Sequence, residues 1–142
     1  MKRYILIMLF AASSAVYGSD WAHNAIDLTH KYGDGSGVKV GVMDGEVRCS
    51  HQELAGHCTE YYSQEDRGRY YNDHGTHVAT IIAGRNKAPN WLNHDGGVAP
   101  NAHIGSYAVF QSTWGTTGGE WISDSAEVEM ANLAASHGVT VI

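Results

Sequence analysis

Positive charge is scarce in this chain: nine Lys and Arg stand against fifteen Asp and Glu, for a formal net charge of −6. No basic stripe runs along it, which argues against nucleic acid as a partner. Long apolar runs are as scarce. The run Ile5–Ala12, inside MKRYILIMLFAASSAVYG, is too short to span a bilayer, and none of spanning length follows. Lys2 and Arg3 before it and small residues after it have the layout of a secretory signal peptide, residues 1–18, with cleavage after Ala15 or Gly18. Without those two cations the charge falls from −6 to −8. Residues 19–142, about one domain's worth, are therefore expected to be exported, whether secreted, periplasmic or at the cell surface, with no stable membrane insertion. Cysteine is nearly absent too. An oxidising compartment favours pairing of Cys49 with Cys58, with two unpaired thiols as the alternative because spacing alone does not establish geometry. No internal repeat or low-complexity segment is visible.

What is present alternates between two periodicities. GDGSGVKVGVMD is a glycine-rich turn followed by an apolar run, Val38–Met43, ending on Asp44. A run apolar on both faces predicts a strand buried on both sides. HGTHVATIIAG predicts a helix with Asp73 as N-cap and Gly84 as its stop. Val78, Ile81 and Ile82 are expected to carry its apolar contacts, and Gly75, Ala79 and Ala83 to admit a neighbouring backbone. AHIGSYAVF predicts a second strand. SDSAEVEMANLAASHG predicts a second helix, with Asp124 and Glu127 as a capping box and Gly138 as its stop. VTVI opens a third strand, where the sequence ends. Strands alternating with helices predict an α/β fold: a doubly wound, mostly parallel sheet with helices on both faces. EYYSQEDRGRYYND and RNKAPNWLNHDGG are expected to be polar surface insertions.

Ligands of such sheets gather at the carboxyl ends of the strands. Asp44 stands at one such end, and His74 opens a helix following a neighbouring strand. A carboxylate that accepts an imidazole Nδ1 proton fixes the tautomer, leaving Nε2 to take a proton from a nucleophile. Helix stability does not explain the HGTH run, since Gly75 in the first turn costs about 1 kcal/mol against alanine.

Four motifs carry a family resemblance. HGTHVA (74–79) resembles the histidine motif of the subtilisin-like serine proteases, the subtilases. GVKVGVMD resembles the strand that delivers their aspartate, DGEVRCSHQEL the segment after it, and GVAPNAHIGSYAVF their Gly-Val-Ala-Pro turn and following strand. The resemblance implies Asp44 and His74 as two members of a Ser-His-Asp triad, acting on protein or peptide substrates. It implies a close backbone approach at Gly75, and internal packing for His77. It implies no cofactor. Relatives often bind calcium, yet no acidic loop here is specific enough to assign a site. STWGTTGGEW (112–121) falls where the family runs an extended edge that pairs with substrate backbone, so Gly115, Gly118 and Gly119 are candidate substrate-binding residues.

Two departures qualify that reading. The family follows its aspartate with Ser or Thr and then Gly, whereas Gly45 and Glu46 stand here. Glu46 brings a second carboxylate expected either to raise the pKa of the base or to push Asp44 aside. The Gly-Thr-Ser segment that bears the nucleophile, and the asparagine that donates to the oxyanion, are absent from these residues. The reading is thus a serine endopeptidase of which this chain is an incomplete, N-terminal part, inactive alone and truncated after the third predicted strand. Two alternatives remain: a non-catalytic relative that keeps the fold for binding, and a metal-binding module. Nine histidines support the latter, with His74 and His77 on one helix face and His51, His57, His94 or His103 as further ligands.

Overall fold

Three short β-rich runs find one another in parallel: β1 (Lys39–Asp44), β2 (Cys58–Tyr62) and β3 (His103–Ala108), in the spatial order β1-β3-β2. The computed structural model describes residues 20–26, 28, 33–62, 73–87, 96–112, 120–122 and 124–142. The expected signal peptide lies outside the described residues. Asp44 stands level with Ala108, and Ala108 with Tyr62, so the three strands end together at one rim. At the other edge of β1, VTVI makes a single parallel bridge, Val40 to Val141, with the Gly41 N–H donating to the Val141 carbonyl at 2.8 Å. The expected third strand is a single bridge there.

Helices α1 (Asp20–Ala25), α2 (Asp73–Ala83) and α3 (Asp124–Ser136) complete the described elements with a short antiparallel pair, β4 (Phe110–Ser112) and β5 (Glu120–Ile122). One side of the sheet buries Val40, Val42 and Ile104 with Ala79 and Ala83 of α2 and with Val47 and Leu54. The other packs Tyr107 and Met43 against Met130, Leu133 and Ala134 of α3. Helices therefore cover both faces, as the doubly wound pattern predicts. Each large apolar side chain so buried stabilises by about 1.5–3 kcal/mol.

Four local expectations need correction. β2 takes Glu60–Tyr62 from a stretch expected to be an insertion. Its polar Thr59 and Glu60 are followed by two tyrosines, and Tyr61 stacks on Tyr107 with ring centroids 4.9 Å apart. AHIGSYAVF is broken at Val109, whose N–H turns to the Asp44 carbonyl at 2.9 Å before β4 begins. The face that α2 buries is Gly75, Ala79 and Ala83; Val78 and Ile82 flank it, and Ile81 is 53% exposed. His77 is exposed rather than packed inside.

The C-terminal end of α3 follows its sequence signal more closely. Gly138 N–H donates to the Ala135 carbonyl and Val139 N–H to that of Ala134, a Schellman closure. Cys49 and Cys58 are joined as a disulfide with a Cα–Cα separation of 5.1 Å. It ties the foot of β2 to the turn that follows β1.

Candidate active site

β1 delivers Asp44 to the sheet rim with its side chain on the α2 side, and the residue is 8% exposed. One carboxylate oxygen, Oδ1, accepts the Gly45 N–H at 2.6 Å. The other, Oδ2, lies 2.7 Å from Nδ1 of His74, in the first turn of α2. A hydrogen bond from Nδ1 leaves Nε2 with the lone pair. The two side chains differ sharply in exposure, 12% for Asp44 and 69% for His74. The carboxylate is the buried anchor, and the imidazole reaches from it towards solvent.

Gly75 makes that reach sterically feasible. A Cβ at this position would lie 2.7 Å from the Gly45 carbonyl oxygen and 3.2 Å from Asp44 Oδ1. Any side chain would wedge the helix off the rim and draw the ring out of range. A second tie holds the helix start: Thr76 Oγ1 accepts the Arg48 N–H at 3.0 Å. The close approach of Gly75 to Gly45 and the Thr76–Arg48 bond both join α2 to the residues just after Asp44, so the base and its carboxylate are placed by one short connection.

Glu46 does not push Asp44 aside. It is buried, 2% exposed, and the aspartate–histidine contact forms in its presence. Ser106 is fully buried and accepts the Val47 N–H at 3.1 Å, a structural use of its hydroxyl. Ser125 and Ser136 lie on the exposed part of α3. Gly115, Gly118 and Gly119 lie outside the described residues; the segments on either side pair with each other, Phe110 opposite Ile122 and Ser112 opposite Glu120.

The histidines named as spare metal ligands disperse. His57 Nε2 is held at 2.7 Å by the Ala83 carbonyl, and His103 Nε2 shares a hydrogen bond of 3.0 Å with Thr59 Oγ1. Burial, then the nearby His57 and Lys39, keep the His103 pKa below its ordinary 6.5. His94 lies outside the described residues. Among the described residues no group of three or more His, Cys, Asp or Glu side chains is arranged to hold a metal ion. Nor is any described helix long and apolar enough to cross a membrane.

A buried carboxylate at a parallel-sheet rim, hydrogen-bonded to an imidazole at a helix start, can orient that imidazole for proton transfer. Comparison with known proteins gives the family. The subtilase family model matches residues 35–142, and the chain belongs to that family of serine proteases. Over 117 residues it is 34% identical to subtilisin E of Bacillus subtilis (strain 168), covering 76% of this chain and 30% of the relative. It is 33% identical to subtilisin of Bacillus pumilus over 117 residues, covering 76% of this chain and 41% of that one. Among solved structures, the self-cleaved protease domain of PatA superposes with a TM-score of 0.50 at 22% identity, over 75% of this chain and 36% of that one, a likeness of fold. The chain thus spans about a third of the length of these relatives.

Proposed function

We propose that this chain carries the acid–base half of a serine endopeptidase, with Asp44 as the orienting carboxylate and His74 as the general base. The observation that supports this most directly is the 2.7 Å contact between His74 Nδ1 and Asp44 Oδ2, with the rest of the ring open to solvent. In the proposed reaction a serine hydroxyl contributed from outside residues 1–142 gives its proton to His74 Nε2 as its oxygen attacks a peptide carbonyl. Asp44 stabilises the imidazolium so formed. His74 then returns the proton to the departing amine, and water hydrolyses the acyl-enzyme by the same route. The chemistry draws on no cofactor.

Peptide substrate is proposed to lie along the segment 112–121, with Gly115, Gly118 and Gly119 admitting its backbone. The basic–apolar–small layout of residues 1–18 supports export to a compartment in which the Cys49–Cys58 bond persists. In the full-length protein, His74→Ala is expected to abolish both peptide hydrolysis and labelling by a serine-directed fluorophosphonate. Undiminished labelling of that variant would remove His74 from the role.

A further inference from the structure

The face that α2 turns to the sheet is smooth. Gly75, Ala79 and Ala83 lie four residues apart, so backbone approaches backbone along this stripe, with Val78 and Ile82 packed at its flanks. Small residues along the stripe give closeness with little to lock the helix along its own axis. Contacts at the two ends add that hold. The N-terminal end is held by the dyad itself, so what fixes the other end also bears on where His74 sits.

The last carbonyls of an α-helix have no partner inside it. In α2 the Thr80 carbonyl accepts the Gly84 N–H at 2.9 Å, and the last three are met from elsewhere in the chain. The Ile81 carbonyl accepts the Val98 N–H at 3.0 Å and the Ile82 carbonyl accepts the Ala99 N–H at 2.7 Å, both from the Gly-Val-Ala-Pro turn. Gly97 allows that turn to approach, since a Cβ there would lie 2.6 Å from the Ala83 nitrogen and the Ile82 carbonyl. The Ala83 carbonyl is met by a side chain, His57 Nε2 at 2.7 Å. A carbonyl can only accept, so Nε2 carries a proton. Its Nδ1 is buried with no hydrogen-bond partner among the described residues, and His57 is 3% exposed.

A buried imidazole with one nitrogen unsatisfied is costly. Its place in the ladder explains what it does there. The His57 carbonyl accepts the Ile104 N–H of β3 at 2.8 Å, while its ring holds α2. One residue therefore ties the C-terminal end of the base-bearing helix to the strand paired with β1, the strand that carries Asp44.

Resting on the reading of His74 as the base, we propose that His57 is a positioning residue: by donating from Nε2 to the Ala83 carbonyl it fixes α2 along its axis and so sets His74 against Asp44. An 11-residue helix is about 16 Å long, so a small slip at the far end reaches the ring almost undiminished.

The test uses the full-length protein. Gln places its amide nitrogen near the position of Nε2; Asn places its own nearer Nδ1 and falls short. His57→Asn is expected to slow fluorophosphonate labelling about 10- to 100-fold, the cost of displacing a reacting group by a fraction of an ångström to one ångström. The low-field NMR proton shared by His74 and Asp44 should weaken with it. His57→Gln should return both to within about threefold of the unaltered protein. Unchanged labelling in a folded His57→Asn, or an equal loss in His57→Gln and His57→Asn, overturns the proposal. Should either variant fail to fold, the decision passes to the unaltered protein, where the His57 ring must show the Nε2–H tautomer by ¹⁵N NMR; the Nδ1–H tautomer overturns it. His74→Ala separates this from the base assignment: if that variant labels normally the base reading fails, and if only His57→Asn does, the positioning role fails alone.

Discussion

Gly75 shows how far a single side chain can matter at this rim. By helix propensity alone, Gly75→Ala would stabilise α2 by about 1 kcal/mol. The contact distances reverse that sign, because the new methyl would meet the Gly45 carbonyl at 2.7 Å and the Asp44 carboxylate at 3.2 Å. Backbone cannot yield as a flexible side chain would, so we expect a net destabilisation of about 1–3 kcal/mol, read by thermal unfolding, with loss of the proton shared by His74 and Asp44. A second residue-scale prediction concerns His103. Its lowered pKa, due first to burial and then to His57 and Lys39, means the unfolded chain binds a proton more readily there. The contribution of His103 to stability is therefore present above its ordinary 6.5 and lost as pH falls. An NMR titration should place its midpoint below 6.5; one above it would contradict the environment described.

At the scale of elements, the connection between β1 and β2 does more than its irregular shape suggests. It contains the Cys49–Cys58 bond, buries Leu54 in the core beside α2, and ends on His57 at the C-terminus of that helix. Its Glu53 carbonyl also accepts the Arg85 N–H at 3.2 Å, just past the helix. Opening the disulfide with Cys49→Ser should cost about 2–3 kcal/mol in the chain-entropy account, read by denaturant unfolding. Reduction of the unaltered protein should bring it down to the level of the variant. Loss in the variant without loss on reduction would show that the serine, not the missing bond, is responsible.

At the scale of the whole molecule, the turn before β1 is tied to the turn before β3. Asp34 accepts the Ser36 N–H at 3.0 Å and the Asn101 side-chain amide at 2.6 Å, and its carbonyl accepts the Asn101 N–H at 2.9 Å. The hydrogen bonds from Ser36 and then Asn101 lower the Asp34 pKa from 3.8 to about 2. A depressed carboxyl pKa contributes stability above its unfolded value, so this tie is complete above 3.8 and is lost as pH falls through about 2. Unfolding measured across that window should show a steeper acid loss for the unaltered protein than for Asp34→Asn. Equal slopes would show that the tie carries nothing.

The sequence by itself determined much of this protein. Its local signals foretold β1, α2 and α3, the parallel α/β plan, and the placing of Asp44 and His74 at a strand end and a helix start, because an unbroken apolar run, helix caps and glycine stops can be read from neighbouring residues alone. Gly75 was legible as an anomaly, since a glycine that weakens a helix must answer to something outside it. β2 was not legible: its polar residues hide a strand whose place is won by tyrosine stacking across the sheet and by a disulfide. His57 was not legible either. It appeared only as one spare histidine among several, and no local pattern links it to a carbonyl 26 residues away. Tertiary structure alone decided the 2.7 Å meeting of Asp44 and His74, the depth of Glu46 and the exposure of His77. Those depend on how closely two backbones approach, and closeness is a property of the packed pair rather than of either segment.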